Sequence, residues 1–162
     1  MSKRIILIGP AAAGKDFMKN KFRARGFKCD CSYTTRPQRE GEIEGVDYYF
    51  TPSVLFHNLV NSDRFYEHVK HGEYEYGTGK MEWETSDVFI MECDGLLTLS
   101  PEDRASSMII YVNAPQKVRI QRMKDRGWTL RAIMDRLKVD KAKFENLDPY
   151  YYDVMVNSVE KM

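Results

Sequence analysis

The sequence predicts an α/β fold with a central parallel sheet. Strand-like runs alternate with helical stretches along the chain, and this order of elements is typical of the class. Several of the strand-like runs are apolar without a break, as expected for parallel strands that are covered on both faces. The chain has 162 residues, which is enough for one domain with a substantial core. We therefore expect a single domain over residues 1–162.

The individual elements follow from these apolar runs and from the turn residues between them. The predicted strands are Lys3 to Ile8, Phe27 to Cys31, Val88 to Glu92, Met108 to Val112 and Asp153 to Val156. The predicted helices are Lys15 to Arg25, Ser53 to Val60, Gln116 to Arg126 and Thr129 to Phe144. The last helix has Leu130, Ile133 and Leu137 at helical spacing, so one of its faces is expected to be buried.

Two segments depart from this alternating pattern. Residues 32–78 are rich in Tyr, Glu, Gly and Arg and contain short alternating runs, which predict a small, largely antiparallel insertion. Residues 122–136 are rich in arginine and have only a narrow apolar stripe, which is typical of a mobile helical lid. The core of the domain is then expected to consist of residues 1–31 and 79–162.

Charge and cysteine content exclude several classes of protein. The chain carries 25 Lys+Arg against 24 Asp+Glu, so its net charge gives no reason to expect a nucleic acid or a membrane surface as a partner. The apolar run Ile5 to Ile8 is too short to span a membrane and lacks the features of a signal peptide, which favours a cytoplasmic protein. Cys29, Cys31 and Cys93 contain no Cys-x-x-Cys pair and are expected to be reduced thiols.

A phosphate-binding loop is predicted directly after the first strand. Gly9 and Gly14 frame a Gly-x-x-x-x-Gly-Lys motif, with Ala11, Ala12 and Ala13 inside it and Lys15 at its end. The glycines allow the backbone N–H groups and the helix N-terminus to face an anion, and the lysine adds a positive charge for the outer phosphates.

The residues that follow the loop are unusual. Such loops ordinarily end in Ser or Thr, whose hydroxyl coordinates Mg²⁺, whereas here Asp16 and Phe17 follow the lysine. A carboxylate is a hard Mg²⁺ ligand, but without a metal it would repel a phosphate charge by about 4 kcal/mol at ~4 Å in an effective dielectric of ~20. Asp16 either coordinates Mg²⁺ or turns away and stabilises the first helical turn. Both interpretations remain open at this point.

A second anion site is predicted in the insertion. Arg36 and Arg39 stand on either side of Pro37, so their guanidinium groups can converge on one dianion. Tyr48 and Tyr76 can add neutral hydroxyl donors.

The order of these motifs resembles the guanylate kinase family along nearly the whole chain. The resemblance rests on Gly9 to Lys15, Ser32 to Phe50 (Ser-x-Thr-Thr-Arg-x-x-Arg-x-Gly-Glu-x-x-Gly-x-Asp-Tyr-x-Phe), Phe65-x-Glu67, Tyr76-Gly77-Thr78, Ile90 to Asp94, Arg122-x-x-x-Arg126-Gly127, Arg136-Leu137 and Val156-Asn157. It implies a P-loop, three-layer α/β fold with a small antiparallel GMP-binding insertion and an Arg-rich helical lid. Two departures are Glu92, where the family usually has an aspartate, and an early chain end a few residues after Asn157, where a terminal helix normally follows. The early end leads us to expect an incomplete edge on the adenine side.

The resemblance also implies roles for individual residues. The loop residues would bind ATP, namely Gly9, Ala11, Ala12, Ala13, Gly14, Lys15, Asp16 and Phe17. Among them, Asp16 would be a possible ligand of Mg²⁺. Those that would hold the GMP phosphate are Arg36, Arg39, Tyr48 and Tyr76. Those that would address the guanine are Ser32, Glu67, Thr78 and Asp94, and Glu92 would lie in the substrate site. Those that would neutralise the transferred phosphoryl group are Arg122, Arg126 and Arg136.

The chemistry of guanine independently supports a role for Glu67. Guanine presents two adjacent N–H donors on one edge, which a carboxylate can accept as a pair, whereas adenine presents an acceptor and a donor there. A lone strand glutamate is more often exposed, so the surrounding pattern is what favours this assignment.

The function expected from the resemblance is phosphoryl transfer from ATP to GMP or dGMP, with small nucleotides as the partners. The alternative is a non-catalytic guanylate-kinase-like module that recognises GMP or a phosphopeptide, and Asp16 is the feature that favours it. A related kinase of a ribose phosphate is a third hypothesis, against which Glu67 and Thr78 argue because they look fitted to a base.

Overall fold

The computed structural model describes residues 3–157. These residues form two sheets with helices around them. The strands are β1 (Arg4–Ile8), β2 (Ser32–Thr34), β3 (Tyr48–Phe50), β4 (Phe65–His71), β5 (Tyr74–Gly79), β6 (Val88–Ile90), β7 (Ser107–Asn113) and β8 (Val154–Asn157). The helices are α1 (Lys15–Ala24), α2 (Ser53–Asn61), α3 (Lys80–Thr85), α4 (Cys93–Leu96), α5 (Pro101–Ala105), α6 (Gln116–Asp125) and α7 (Leu130–Phe144), and a short 3₁₀ turn covers Pro149–Tyr151. The four predicted helices are confirmed to within two residues at each end.

The first sheet has the strand order β6-β1-β7-β8, and all of its neighbouring strands are parallel. Ile6 and Ile8 of β1 pack on one face, against a cluster that includes Trp83 of α3. Leu7 packs on the other face, where Phe22 of α1 covers the sheet. Because successive side chains alternate between the faces, the unbroken apolar run of β1 is buried on both sides. The three-layer α/β fold is confirmed.

The second sheet has the order β3-β2-β5-β4 and is built from the predicted insertion. Strands β4 and β5 form an antiparallel hairpin and β5 pairs antiparallel with β2, but β2 and β3 are parallel. The sheet is therefore mixed, and the antiparallel description is correct for two of its three strand pairs. The parallel pair arises because residues 35–47 form a long loop that returns the chain to the same end of β2.

The predicted strand Phe27 to Cys31 is wrong. Only Cys29 pairs with Val88, in a single parallel bridge, and the backbone N–H of Asp30 donates to the Val88 carbonyl at 2.8 Å. The side chain of Phe27 is exposed. The chain touches the edge of the first sheet here and leaves it at once, because β2 in the second sheet begins at Ser32.

The Arg-rich segment forms the end of α6 and the start of α7. Thr129 caps α7, since its side chain accepts a hydrogen bond from the backbone N–H of Ala132 at 3.1 Å. Ile133 and Asp140 point into the protein from α7. Residues 126–129 connect the two helices, and Trp128 lies against Arg39 of the loop between β2 and β3. Within residues 3–157, no helix is long and apolar enough to cross a membrane.

Candidate active site

The loop between β1 and α1 is shaped by its two glycines. A Cβ atom on Gly9 would lie 2.1 Å from the carbonyl oxygen of Val112 in β7, so only glycine permits this approach of the two backbones. Gly14, at the N-terminus of α1, has a φ of 108°, which side chains disfavour. The backbone therefore wraps around a space at the carboxyl end of β1, where the N-terminus of α1 can face an anion.

Gly9→Ala is expected to destabilise the protein by about 3 kcal/mol, because the added methyl group overlaps a backbone oxygen that cannot move aside. Urea unfolding would measure the change in the free energy of unfolding. Gly41→Ala is the matched control, since Gly41 has a φ of +86° but open space around it, and it should cost only about 1 kcal/mol. Equal losses in the two variants would contradict the steric explanation.

Lys15 lies across the mouth of this loop. Its Nζ donates to the carbonyl oxygen of Gly9, within the loop itself. Burial lowers the pKa of Lys15, and the nearby charges of Glu92 and Asp140 oppose this shift. The positive charge of Lys15 is thus held at the loop, where outer phosphates would lie.

Asp140 of α7 holds the loop from the other side. Its Oδ2 accepts from the backbone N–H of Ala11 at 2.9 Å, and its Oδ1 accepts from Nε of Arg136 at 3.2 Å. Arg119 lies 3.9 Å from the same carboxylate. Only 3% of Asp140 is exposed, and a carboxylate so deeply buried needs these partners. The loop, Arg119 of α6 and Arg136 of α7 are thereby kept in one arrangement.

Two of the three predicted lid arginines reach the loop region. Arg122 donates from a terminal guanidinium nitrogen to the carbonyl oxygen of Ala12 at 2.8 Å. Arg136 contacts Asp140 and His71. Arg126 follows the last residue of α6 and is exposed to solvent. The structure therefore brings Arg122 and Arg136 together with the loop but not Arg126.

Asp16 and Phe17 are exposed in the first turn of α1. Burial raises the pKa of Tyr48, and the charge of Asp16 raises it further. The Asp16 carboxylate thus lies near enough to the second sheet for its charge to be felt there. Among residues 3–157 no three acidic, histidine or cysteine side chains are grouped as a metal cluster.

A narrow cleft separates the second sheet from the carboxyl end of β6. Six of the nine residues predicted for the acceptor site line it, namely Ser32, Tyr48, Glu67, Tyr76, Thr78 and Glu92. The sequence therefore predicted most of the lining of a cleft that faces the phosphate-binding loop.

Glu67 is the least satisfied polar group in this cleft. Its Oε1 accepts from the Thr78 hydroxyl at 2.7 Å, whereas its Oε2 is buried with no hydrogen-bond partner. A Cβ on Gly95 would lie 2.8 Å from that oxygen, so glycine keeps the space beside it open. Burial raises the pKa of Glu67 to about 7, with Asp30 and Glu92 adding to the effect. A buried carboxylate oxygen without a donor is costly, and a ligand with N–H groups would satisfy it.

The raised pKa of Glu67 predicts a pH dependence of stability. Its folded pKa of about 7 exceeds the ordinary 4.5, so the folded chain binds this proton more tightly than the unfolded chain. The resulting stabilisation of about 3 kcal/mol is full below pH ~4.5 and is lost as the pH rises through about 7.

Thermal unfolding of the ligand-free protein between pH 5 and pH 8 would measure this dependence, with Glu67→Gln as the comparison. The difference between the two proteins isolates Glu67 from Asp30, whose pKa burial also raises, to about 6. Parallel curves for the two proteins would contradict the assignment.

The two predicted phosphate-binding arginines have different surroundings. Arg36 is buried and forms two hydrogen bonds with the Glu42 carboxylate, at 2.9 and 2.8 Å. Arg39 is more exposed, and its guanidinium carbon lies 5.3 Å from the ring centre of Trp128, between α6 and α7. Partial burial and the charge of Arg36 lower the pKa of Arg39. Among residues 3–157 no carboxylate forms an ion pair with Arg39, which leaves its hydrogen-bond donors available to an anion.

Two remaining candidates are held by neighbouring residues. The Ser32 hydroxyl donates to Asp30 at 2.6 Å, which keeps its oxygen at the cleft. Asp94 pairs with Lys143 of α7 at 3.2 Å and lies outside the group that lines the cleft.

Four further residues shape the site without having been assigned a role from the sequence: Glu42, His71, Trp128 and Asp140. Glu42 lies within the motif around Arg36, and its acidic character beside two arginines was an available signal. Asp140 follows Arg136 by four residues on α7, so helical spacing could have paired them. His71 and Trp128 are isolated in the sequence, and only the three-dimensional contacts reveal them.

A phosphate-binding loop at the carboxyl end of a parallel sheet, facing a cleft that contains a buried carboxylate, places the protein in the class of P-loop nucleotide-binding proteins. The model of the family described as guanylate kinase matches residues 1–162. The chain belongs to the guanylate kinase family.

Individual relatives agree with this family. The chain is 28% identical to the guanylate kinase of Oceanobacillus iheyensis, over 96% of this chain and 80% of that protein. It is 29% identical to the guanylate kinase of Blochmanniella floridana, over 93% of this chain and 77% of that protein. The crystal structure of guanylate kinase from Anaplasma phagocytophilum has the same fold, with a TM-score of 0.64 and 20% identity over 99% of this chain and 78% of that one.

Proposed function

We propose that this protein transfers the terminal phosphoryl group of ATP to GMP or dGMP by direct in-line displacement. The observation that carries the proposal is the buried, unpartnered Oε2 of Glu67, in a cleft that faces the phosphate-binding loop. Guanine presents two adjacent N–H donors to such a carboxylate. Membership of the guanylate kinase family supports the same reaction.

The acceptor nucleotide is held at both of its ends. Glu67, Thr78 and Ser32 address the base from the cleft, and Asp94 is proposed to join them from outside its lining. Arg36 and Arg39 bind the phosphate, with the hydroxyl groups of Tyr48 and Tyr76. Because Arg36 is already paired with Glu42, its charge is partly neutralised, and Arg39 provides most of the attraction for the dianion.

The donor nucleotide lies on the loop. The backbone from Gly9 to Gly14 binds the inner phosphates, and Lys15 moves from the Gly9 carbonyl to the outer ones. Arg122 and Arg136 approach from α6 and α7, and Arg126 joins them when the lid closes. Catalysis then consists of positioning and charge neutralisation, because phosphoryl transfer has a loose transition state and needs no covalent intermediate.

The residues present fit a Mg²⁺ ion. Mg²⁺ is commonly bound by one or two carboxylates together with substrate phosphates and water, so no cluster of protein ligands is required. Asp16 follows the loop lysine, and its charge acts on both Lys15 and Tyr48. A bound Mg²⁺ would neutralise phosphate charge there, and Asp16 is the residue that would hold it.

Asp16→Asn is expected to raise the Mg²⁺ concentration that gives half-maximal activity by about tenfold, since it removes a charged ligand but keeps the shape of the side chain. A titration with Mg²⁺ at fixed ATP would measure this, with the exposed Asp135→Asn as control. If the Mg²⁺ requirement stays the same and stability falls by about 0.5 kcal/mol, Asp16 acts only on the helix dipole.

The direct test is detection of nucleoside diphosphates by chromatography after incubation with ATP and each nucleoside monophosphate, with and without Mg²⁺. We expect GDP from GMP, or dGDP from dGMP, only with Mg²⁺ and no product from AMP, CMP or UMP. Absence of product with every acceptor, in a folded sample that still binds GMP, would overturn the proposal.

The alternative function is a non-catalytic module that recognises GMP or a phosphopeptide, which Asp16 favours. Such a module has no use for a loop lysine or for arginines placed over the loop. A thermal-shift titration with ATP separates the two functions, since a module of this kind does not respond to ATP with or without Mg²⁺.

The wider context of the protein is also proposed. It acts in the cytoplasm on small nucleotides, with neither a nucleic acid nor a membrane as partner. Residues 32–78 serve as the acceptor-binding insertion, and residues 122–136 serve as the lid over the core formed by 1–31 and 79–162.

A further inference from the structure

His71, the last residue of β4, lies where the second sheet meets α7. It is buried, whereas His57 and His68 are exposed. The predicted phosphate and base contacts do not use it. A buried imidazole at the boundary between the acceptor cleft and the arginines of α7 requires an explanation.

Two cations and one carboxylate surround the ring. Arg136 contacts Nε2, Lys143 Nζ lies 3.0 Å from Nδ1, and Glu92 Oε2 lies 3.6 Å from Nδ1. Burial lowers the pKa of His71, and the two cations lower it further against the opposing charge of Glu92. A protonated ring would meet a like charge at each nitrogen, so the ring is neutral near pH 7.5.

The tautomer of His71 follows from the acceptors available to the two cations. Arg136 and Lys143 can only donate, and a neutral imidazole has a single acceptor nitrogen, so the two side chains compete for it. Nε2, which faces Arg136, is assigned as the acceptor because Lys143 has a carboxylate acceptor elsewhere. The ring proton then lies on Nδ1, on the side of Glu92. Lys143 has Asp94 as its acceptor, at 3.2 Å.

We infer that His71 is a positioning residue, whose Nε2 orients the Arg136 guanidinium toward the phosphoryl group in transfer. Asp140 accepts from Nε of Arg136 at 3.2 Å, and His71 accepts from a terminal nitrogen. Two acceptors on different edges prevent the guanidinium plane from turning and leave its other N–H groups for phosphate. The inference rests on the proposed function.

The same strand recognises the base and orients the arginine. Glu67 precedes His71 by four residues in β4, so the two side chains lie on one face of the strand. Both are buried, one at the cleft and the other against α7. Arg136 is therefore oriented by a residue of the same strand that carries Glu67.

Three variants of the full-length protein test this role by steady-state kinetics with GMP and ATP. His71→Leu removes the acceptor and should lower kcat by about 30-fold while KM for GMP changes by less than about threefold. His71→Gln retains an acceptor oxygen and should stay within about threefold of the wild type. His68→Leu, on the exposed face of β4, should leave both constants unchanged. A kcat for His71→Leu equal to that of the wild type, or no rescue by glutamine, would overturn the inference.

A double-mutant cycle with Arg136→Ala identifies the partner. His71→Leu should have no further effect on kcat in the Arg136→Ala background, because the group it positions is absent. Independent, multiplicative losses would mean that His71 acts elsewhere.

If thermal unfolding shows that His71→Leu does not fold, His71→Asn replaces it, since its shorter side chain leaves the oxygen out of reach. An inactive wild type would overturn the proposed function together with the inference. If the wild type is active and the His71 variants have the same kcat, the inference alone is overturned.

Discussion

Arg39→Ala is expected to lower kcat/KM for GMP by about 300-fold, through the loss of charge-assisted hydrogen bonds to the acceptor phosphate. Arg36 cannot compensate, since Glu42 accepts two of its hydrogen bonds. Within residues 3–157, no carboxylate forms an ion pair with Arg39. The positive charge of the neighbouring Arg36 disfavours the charged form of Arg39. A phosphate dianion relieves this repulsion between the two arginines. Arg39 therefore contributes more binding free energy than Arg36 when GMP binds.

Arg39→Ala is also expected to affect the lid, because Arg39 contacts Trp128 between α6 and α7. Loss of the guanidinium removes a cation–π contact of about 0.5–1 kcal/mol that helps to hold the lid near the acceptor loop. We therefore expect kcat to fall together with a rise in KM for GMP. Steady-state kinetics with varied GMP at saturating ATP would separate the two constants.

Arg39→Lys and Arg25→Ala are the controls for this prediction. Lysine keeps the charge but lacks the paired donors, so its loss should be intermediate. Arg25 is exposed at the C-terminal end of α1, and its removal should leave kcat/KM unaltered. Unchanged turnover in Arg39→Ala would mean that the acceptor phosphate binds elsewhere.

Glu67→Gln is expected to lower kcat/KM for GMP by about 100-fold and to reduce discrimination against AMP. The amide keeps the hydrogen bond with Thr78, but it replaces one carboxylate oxygen with a donor that opposes the N–H groups of guanine. The loss corresponds to about 3 kcal/mol, as expected for hydrogen bonds to a charged acceptor. Competition between GMP and AMP for the same enzyme gives the specificity ratio directly.

Glu73→Gln is the matched control, since it makes the same chemical change at an exposed position in the turn between β4 and β5. Its kinetics should equal those of the wild type. The stability of Glu67→Gln above pH 7 should exceed that of the wild type, because a buried ionised carboxylate has been removed. A variant that is both more stable and less specific would identify Glu67 as a binding group rather than a structural one. Equal specificity ratios for Glu67→Gln and the wild type would argue against contact with the base.

The sequence by itself determined the local features of this protein. The apolar runs predicted β1 and β7, because strands covered on both faces need apolar side chains on both. The loop from Gly9 to Lys15 could also be predicted from the sequence, since its backbone geometry requires glycine at fixed positions. Glu67 was identified from the surrounding motif and confirmed as buried in the cleft, although its role in binding remains a prediction.

Other features were decided only by the tertiary structure. Phe27 to Cys31 reads as a strand, yet the chain must cross to the second sheet and pairs only at Cys29. Asp140 and His71 lie 129 residues from Ala11 and 65 residues from Arg136, their respective partners. Local propensity and spacing carry no information on such contacts, because they depend on which surfaces the folded sheets and helices bring together. The loop and its glycines follow from the sequence, whereas the orientation of the charges around them follows from the packing of β4 against α7.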